Sequence, residues 1–166
     1  MKKAKKISQP EEEVVAGRDV LPDPVYHSKL VSKLINYVMR KGKKQLAQKI
    51  VWRAFEIIKE KENKNPLEIF YQAVAQASPQ YEIRVMRVGG ASYQVPKECP
   101  IARQRMYAMK WMVEGARKIK GKPMFEKLAQ EILETAKGKG FAVKKKEEVE
   151  KIALANQAFA YLLKSS

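Results

Sequence analysis

This chain has one cysteine and one histidine among its 166 residues, and that scarcity removes several chemistries at once. A single thiol excludes an internal disulfide and fits a reducing compartment. A Cys–His nucleophilic pair would have to join Cys99 to His27, and nothing around either residue points to activation. His27 follows a proline-rich entry and reads as a surface residue, while Cys99 sits between Glu98 and Pro100. There is no His and Cys cluster to hold a metal, and no cofactor is implied. No apolar run reaches the length that crosses a membrane, and the N-terminus lacks the apolar stretch of a signal peptide. Met1 to Val15 has no arginine and carries Glu11, Glu12 and Glu13, unlike an organelle transit peptide. Gly89-Gly90 is not a phosphate-binding loop, because it joins two β-prone runs and lacks spaced glycines and a following helix. Neither an enzyme nor a small-molecule substrate finds support here.

Acidic residues are also short: 18 Asp and Glu face 34 Lys and Arg, a net charge of +16. A domain that basic repels itself unless a polyanion neutralises it, so nucleic acid is the leading partner and an anionic membrane surface the weaker one. A hydrophobic content of 45% in 166 residues suits one domain with a real core.

Residues 1–20 show no periodicity. Lys2, Lys3, Lys5 and Lys6 form a basic tail ahead of the acidic triplet. This arm is either a disordered, solubilising end or a segment that orders on RNA. Residues 21–166 read as a single helical domain. Leu21-Pro22-Asp23-Pro24 is a rigid extended entry, and Ser28 is a helix N-cap. Leu30, Val31, Leu34, Ile35 and Val38 make a buried stripe, with Lys29, Lys33 and Arg40 largely off it, and Gly42 ends the helix among Lys41, Lys43 and Lys44.

A second helix over about Lys43 to Lys61 buries Leu46, Ile50, Val51, Ala54, Ile57 and Ile58. Asn65-Pro66-Leu67-Glu68 starts a third, with an Asn cap, proline at the first helical position and Glu three residues after the cap. It buries Leu67, Phe70, Val74 and Ala77. The fourth, about Ile101 to Ile119, turns Ala108, Met109, Met112, Val113 and Ala116 inward. Its Arg103, Lys110 and Arg117 recur every seven residues, a stripe roughly 21 Å long. A fifth buries Phe125, Leu128, Ala129, Ile132, Leu133 and Ala136. The sixth, about Val143 to Leu163, opens on Lys144, Lys145 and Lys146, which oppose its dipole in a way an external phosphate would offset. The fold class is thus mainly α: a compact bundle of about six helices.

One stretch departs from this pattern. Tyr81 to Pro96, YEIRVMRVGGASYQVP, holds two β-prone runs joined by Gly89-Gly90, the signature of a tight hairpin with a primed turn. Residues whose numbers sum to 179 would then face each other, so Met86 meets Tyr93, Arg84 meets Val95, and Glu82 meets Lys97 as an opposite-charge pair. A two-stranded hairpin is marginal alone. Arg84, Arg87, Tyr93 and Gln94 could contact phosphates, stack on bases and bond base edges. Alternatively, the hairpin folds onto the helices with its arginines solvated. Trp111 is open between core and stacking platform. A helix-turn-helix reader or other general nucleic-acid-binding helical protein stays possible, although no helix pair shows a distinct recognition face.

Ordered motifs give a specific resemblance. Leu21-Pro22-Asp23-Pro24, Gly42-Lys43-Lys44, Asn65-Pro66-Leu67, Ala108-Met109-Lys110-Trp111, Ala116-Arg117-Lys118, Ala142-Val143-Lys144-Lys145 and Ala155-Asn156-Gln157-Ala158-Phe159-Ala160 flank a central Arg87-Val88-Gly89-Gly90-Ala91-Ser92-Tyr93-Gln94-Val95-Pro96. Over about Leu21 to Tyr161 the chain resembles the bacterial-type small-subunit ribosomal protein seven family, whose RRVGGSTYQVP has Met86 here in place of its first Arg.

The resemblance implies a structural constituent of the small subunit, a primary rRNA-binding protein that nucleates the 3′ major domain, or head. It implies a hairpin at about 81–97 near the exit-site tRNA and the mRNA path. Small-subunit proteins nine and eleven would be neighbours, in a cytoplasmic ribosome or an organelle-encoded one. The expected rRNA contacts are Lys2, Lys3, Lys5, Lys6, Lys29, Lys33, Lys41, Lys43, Lys44, Arg103, Lys110, Arg117, Lys118, Lys144, Lys145 and Lys146. Arg84, Arg87, Gly89, Gly90, Tyr93 and Gln94 form the hairpin's working surface. The chain departs from the family pattern in its lysine-based arm, in Glu150 and Gln157, and in its Tyr161-Leu162-Leu163-Lys164-Ser165-Ser166 ending.

Overall fold

A computed structural model of the protein describes residues 15–164. The elements run α1 (Lys29–Val38), α2 (Lys44–Glu62), α3 (Pro66–Ala77), β1 (Tyr81–Val88), β2 (Ala91–Glu98), α4 (Ile101–Lys118), α5 (Met124–Ala136) and α6 (Phe141–Ala155), then a 3-10 helix over Gln157–Lys164. α5 is the central element: it packs against α2, α3, α4 and α6, and its Leu128, Ala129 and Ile132 are fully buried.

Local chemistry accounts for two of the helix starts. Ser28 accepts the Val31 N–H through its side chain, and Asn65 accepts that of Leu67 with Pro66 following. The inner face of α4 is the expected one, with Ala108, Met109, Met112, Val113 and Ala116 all buried.

Other expectations need correction. α1 ends at Val38, well short of Gly42, with the Met39 N–H donating to the Ile35 carbonyl. The reason lies on α4, where Arg117 Nη2 donates to the carbonyls of Tyr37 and Val38 at 3.2 and 3.3 Å. Those are carbonyls a helix end leaves without an internal partner.

The buried face of α2 is also rotated from expectation. Ala47, Val51, Ala54, Phe55 and Ile58 are inside, while Leu46 is 54% exposed and Ile50 and Ile57 are half-buried. Leu67 and Phe125 likewise reach the core only in part. Periodicity finds a stripe, but the neighbours against which the helix packs decide its edges.

α6 begins two residues earlier than expected and stops at Ala155. Its cap, Gly140, has no side chain to offer, and Glu131 of α5 takes that place: its Oε1 accepts the Ala142 N–H at 3.0 Å and the Thr135 hydroxyl at 3.2 Å. Glu131 is 2% exposed, and burial pushes its carboxyl up against these opposing bonds. Gly115 makes room for this cap. A Cβ there would lie 2.7 Å from Phe141 Cβ and 2.8 Å from Glu131 Cδ. At the other end Asn156 Nδ2 donates back to the Ile152 carbonyl, a local competition that ends the helix. Lys144, Lys145 and Lys146 consequently sit past the first turn, where the dipole argument loses its force.

The hairpin has the expected register throughout, from Tyr81 opposite Glu98 to Val88 opposite Ala91. Gly89 and Gly90 have φ of 59° and 82°, the pair of positive values that a type I′ turn needs. Glu82 does face Lys97 in register, yet its carboxylate pairs elsewhere. Arg103 Nη1 donates to Oε1 at 3.1 Å, and Nη2 lies 3.1 Å from Oε2.

Candidate nucleic-acid interface

The hairpin is fastened at its root and free toward its tip. Besides Arg103–Glu82, Val95 is fully buried, Glu150 of α6 accepts the Gln80 N–H at 3.2 Å, and α6 packs against both strands. Tyr93 meets Phe159 of the 3-10 helix with ring centroids 5.1 Å apart. One of its faces is therefore occupied within the protein. Arg84 and Gln94 along the strands and Arg87, Gly89 and Gly90 toward the tip are exposed, and Val85 is 64% exposed. Among the described residues neither Arg84 nor Arg87 has an ion-pair partner, so both guanidiniums can meet phosphate.

The remaining cations divide into held and free groups. Lys29 is paired to Asp19 at 3.0 Å, and this bond holds the Asp19 carboxyl below its usual range. Lys33 is a correction. It does not lie off the buried face: it is 8% exposed, and its Nζ donates to the Arg18 carbonyl at 2.7 Å. Ser32 bonds the Leu21 carbonyl as well, so residues 18–21 are tied along α1. Lys118 pairs with Glu114 and lies over the Phe141 ring. Lys145 pairs with Glu148, which raises its affinity for its proton, and Lys146 donates to the Gln76 carbonyl.

The α4 stripe exists, but two of its three members are engaged. Arg103 holds Glu82 and the Tyr107 hydroxyl, and Arg117 holds the end of α1. Lys110 stands over the Tyr37 ring at 5.8 Å. α4 thus acts as a strut, gripping the hairpin root at one end and the α1–α2 turn at the other. Trp111, half-buried, stacks on Tyr107 at 5.5 Å. Lys41, Lys43, Lys44 and Lys144 are exposed and have no ion pair among the described residues. Lys2, Lys3, Lys5 and Lys6 lie outside the described residues.

The sequence set Arg40 off the buried stripe but put neither it nor Lys127 among the expected rRNA contacts. Arg40 adjoins the Lys41–Lys44 cluster and could have been counted with it. Lys127, on α5, comes to the same surface only through helix packing. Cys99 is buried, and its thiol is pushed up by that burial and then by Glu82, the opposite of an activated nucleophile. Among the described residues no three His, Cys, Asp or Glu side chains gather to hold a metal, and no helix is long and apolar enough to cross a membrane.

These features define a class: a helical protein with a protruding β-hairpin whose exposed cations suit it to RNA. The chain belongs to the ribosomal protein S7p/S5e family, whose model matches residues 10–157. It is a ribosomal protein, structural rather than enzymatic. It is 54% identical over 147 residues to small ribosomal subunit protein uS7 of Carboxydothermus hydrogenoformans, covering 89% of this chain and 94% of that protein. The uS7 of Pelotomaculum thermopropionicum is 53% identical, at 92% and 97% coverage. That of Thermotoga neapolitana is 55% identical, at 87% and 93% coverage.

Proposed function

We propose that this small-subunit ribosomal protein is a primary binder of 16S-type rRNA, seated on the 3′ major domain, where it nucleates assembly of the head. The single observation that carries this reading is the partition of its cations. The Lys41–Lys44 turn, Lys144, Arg84 and Arg87 have no ion pair among the described residues, while their neighbours are spent on the fold. Free cations on a rigid body capture phosphates and fix register. The hairpin, with Arg84, Arg87 and Gln94 exposed along it, extends toward the exit-site tRNA and the mRNA path. Small-subunit proteins nine and eleven are the proposed protein neighbours, in the cytoplasmic ribosome of a bacterium.

The test is sedimentation of the tagged chain in cell extract. Comigration with small subunits, and release from them at high salt, is the expected result. A direct comparison of RNAs completes it: the head-domain rRNA fragment should bind more tightly than a random duplex of equal length. Equal affinity for the two would favour a general nucleic-acid-binding protein and overturn the proposal.

A further inference from the structure

Where α1, α2, α4 and α5 meet, the surface holds a depression of about 500 Å³. Its floor is apolar, built by Met39, Leu46, Ile50 and Met124, and its rim carries Arg40, Lys41, Lys43, Arg117 and Lys127 with no carboxylate among the lining residues. A scattered exposed leucine needs no explanation. Leu46 is different, because the helical period assigns it to the core and the fold leaves it 54% exposed inside a ring of like charges. That ring argues against cover by an ordinary apolar protein face, since burying unpaired cations is costly.

The rim is preorganised. The Lys43 N–H donates to the Arg40 carbonyl at 3.1 Å and the Lys44 N–H to the Gly42 carbonyl at 2.8 Å, closing a tight turn. Arg117 holds the preceding end of α1 and thereby sets where Met39 and Arg40 stand, which makes it a positioning residue. A ligand matched to this place needs anionic groups spaced around a flat apolar part. In RNA an unstacked nucleotide has that form: phosphates on either side of an exposed base face.

We infer that this depression takes one unstacked nucleotide of the rRNA, its base on Leu46, Ile50 and the two methionines and its flanking phosphates on Arg40, Lys41, Lys43 and Lys127. The inference rests on the rRNA-binding reading above and deepens it: the α1–α2 turn selects a bulged or looped nucleotide instead of serving only as a phosphate clamp.

The experiment uses the full chain with two RNAs, the head-domain rRNA fragment and a fully paired duplex of equal length, titrated across a salt series. Circular dichroism first checks that each variant is folded. Leu46→Ser should weaken binding to the fragment by about tenfold, within the range of one lost base contact. It should leave the salt slope and the duplex affinity unchanged. Lys43→Ala should lower the slope instead. Nucleotide-resolution 2′-hydroxyl probing should show one unpaired position whose reactivity changes with wild-type protein and not with Leu46→Ser. If the wild-type chain fails to prefer the fragment over the duplex, the rRNA reading itself falls. If it prefers the fragment and Leu46→Ser binds like wild type, or loses equally on the duplex, only the nucleotide site falls. A leucine-containing acidic peptide that competes with the RNA at this face and loses its hold on Leu46→Ser would assign the depression to a protein ligand, and so overturn the inference.

Discussion

The guanidinium of Arg103 and the carboxylate of Glu82 join α4 to the first strand of the hairpin through two 3.1 Å contacts. The Glu82 side chain is nearly covered, while Arg103 keeps 48% exposure. The pair is thus a half-desolvated clamp at the root of the arm. Arg103→Ala leaves a buried carboxylate without its cation and should cost about 1–3 kcal/mol in urea unfolding. Glu82→Gln combined with Arg103→Ala should recover part of that loss, because no buried charge is then stranded. A double-variant loss equal to the sum of the two single-variant losses would show that the pair has no coupling.

Glu131 sets a pH dependence with a defined sign. Burial raises its carboxyl above the ordinary 4.5, so the folded protein binds that proton more tightly than the unfolded chain does. Its contribution to stability is full below about 4.5 and is lost as pH rises through the raised folded value. The stability of wild type relative to Glu131→Gln should therefore fall as pH is raised from about 4 to about 7. Urea denaturation across that window checks it, and a flat difference would show that the carboxyl does not titrate abnormally.

The hairpin should be separable above its root. Replacing residues 87–92 with Gly-Gly keeps Met86 opposite Tyr93 and preserves Tyr93–Phe159, Val95 and Glu82. Stability should change by no more than about 0.5 kcal/mol, as for exposed positions, while behaviour at the tRNA exit changes in a translation assay. Unfolding of the helical body would show that the tip is structural.

Double substitution of Lys43 and Lys44 by alanine should weaken binding to the head-domain rRNA and flatten its salt dependence. The expected change in slope is somewhat under one unit per lost phosphate contact. An unchanged slope would show that the two lysines remain solvated in the complex.

Much of this architecture was readable in the residues, and what escaped did so for identifiable reasons. Ser28, Asn65-Pro66 and Gly89-Gly90 act locally, so capping and turn chemistry placed them without tertiary information. The inner face of α4 followed from periodicity because packing covers it from several sides. Leu46 and Lys33 broke the pattern in opposite directions. At α2 the packing partners leave a leucine outside, and at α1 a long lysine stem reaches a backbone carbonyl from a covered position. Glu131 gave no signal at all, since a carboxyl that caps a helix by accepting an N–H eleven residues along the chain looks in sequence like any polar residue on an amphipathic helix. For the candidate interface, sequence located the cations, but only the fold separates Arg117, engaged with α1, from Lys41, which has no ion pair among the described residues.

That division has a kinetic consequence. The field that draws RNA from a distance sums every charge, so Arg117 and Lys33, although they donate to backbone carbonyls, still contribute to the rate of encounter. Once contact is made, Lys33 is too nearly covered to reach a phosphate, and on the proposed interface residence time would depend chiefly on the exposed cations without an ion pair among the described residues. On the proposed interface Lys33 therefore belongs to arrival, and the Lys41–Lys44 turn to staying.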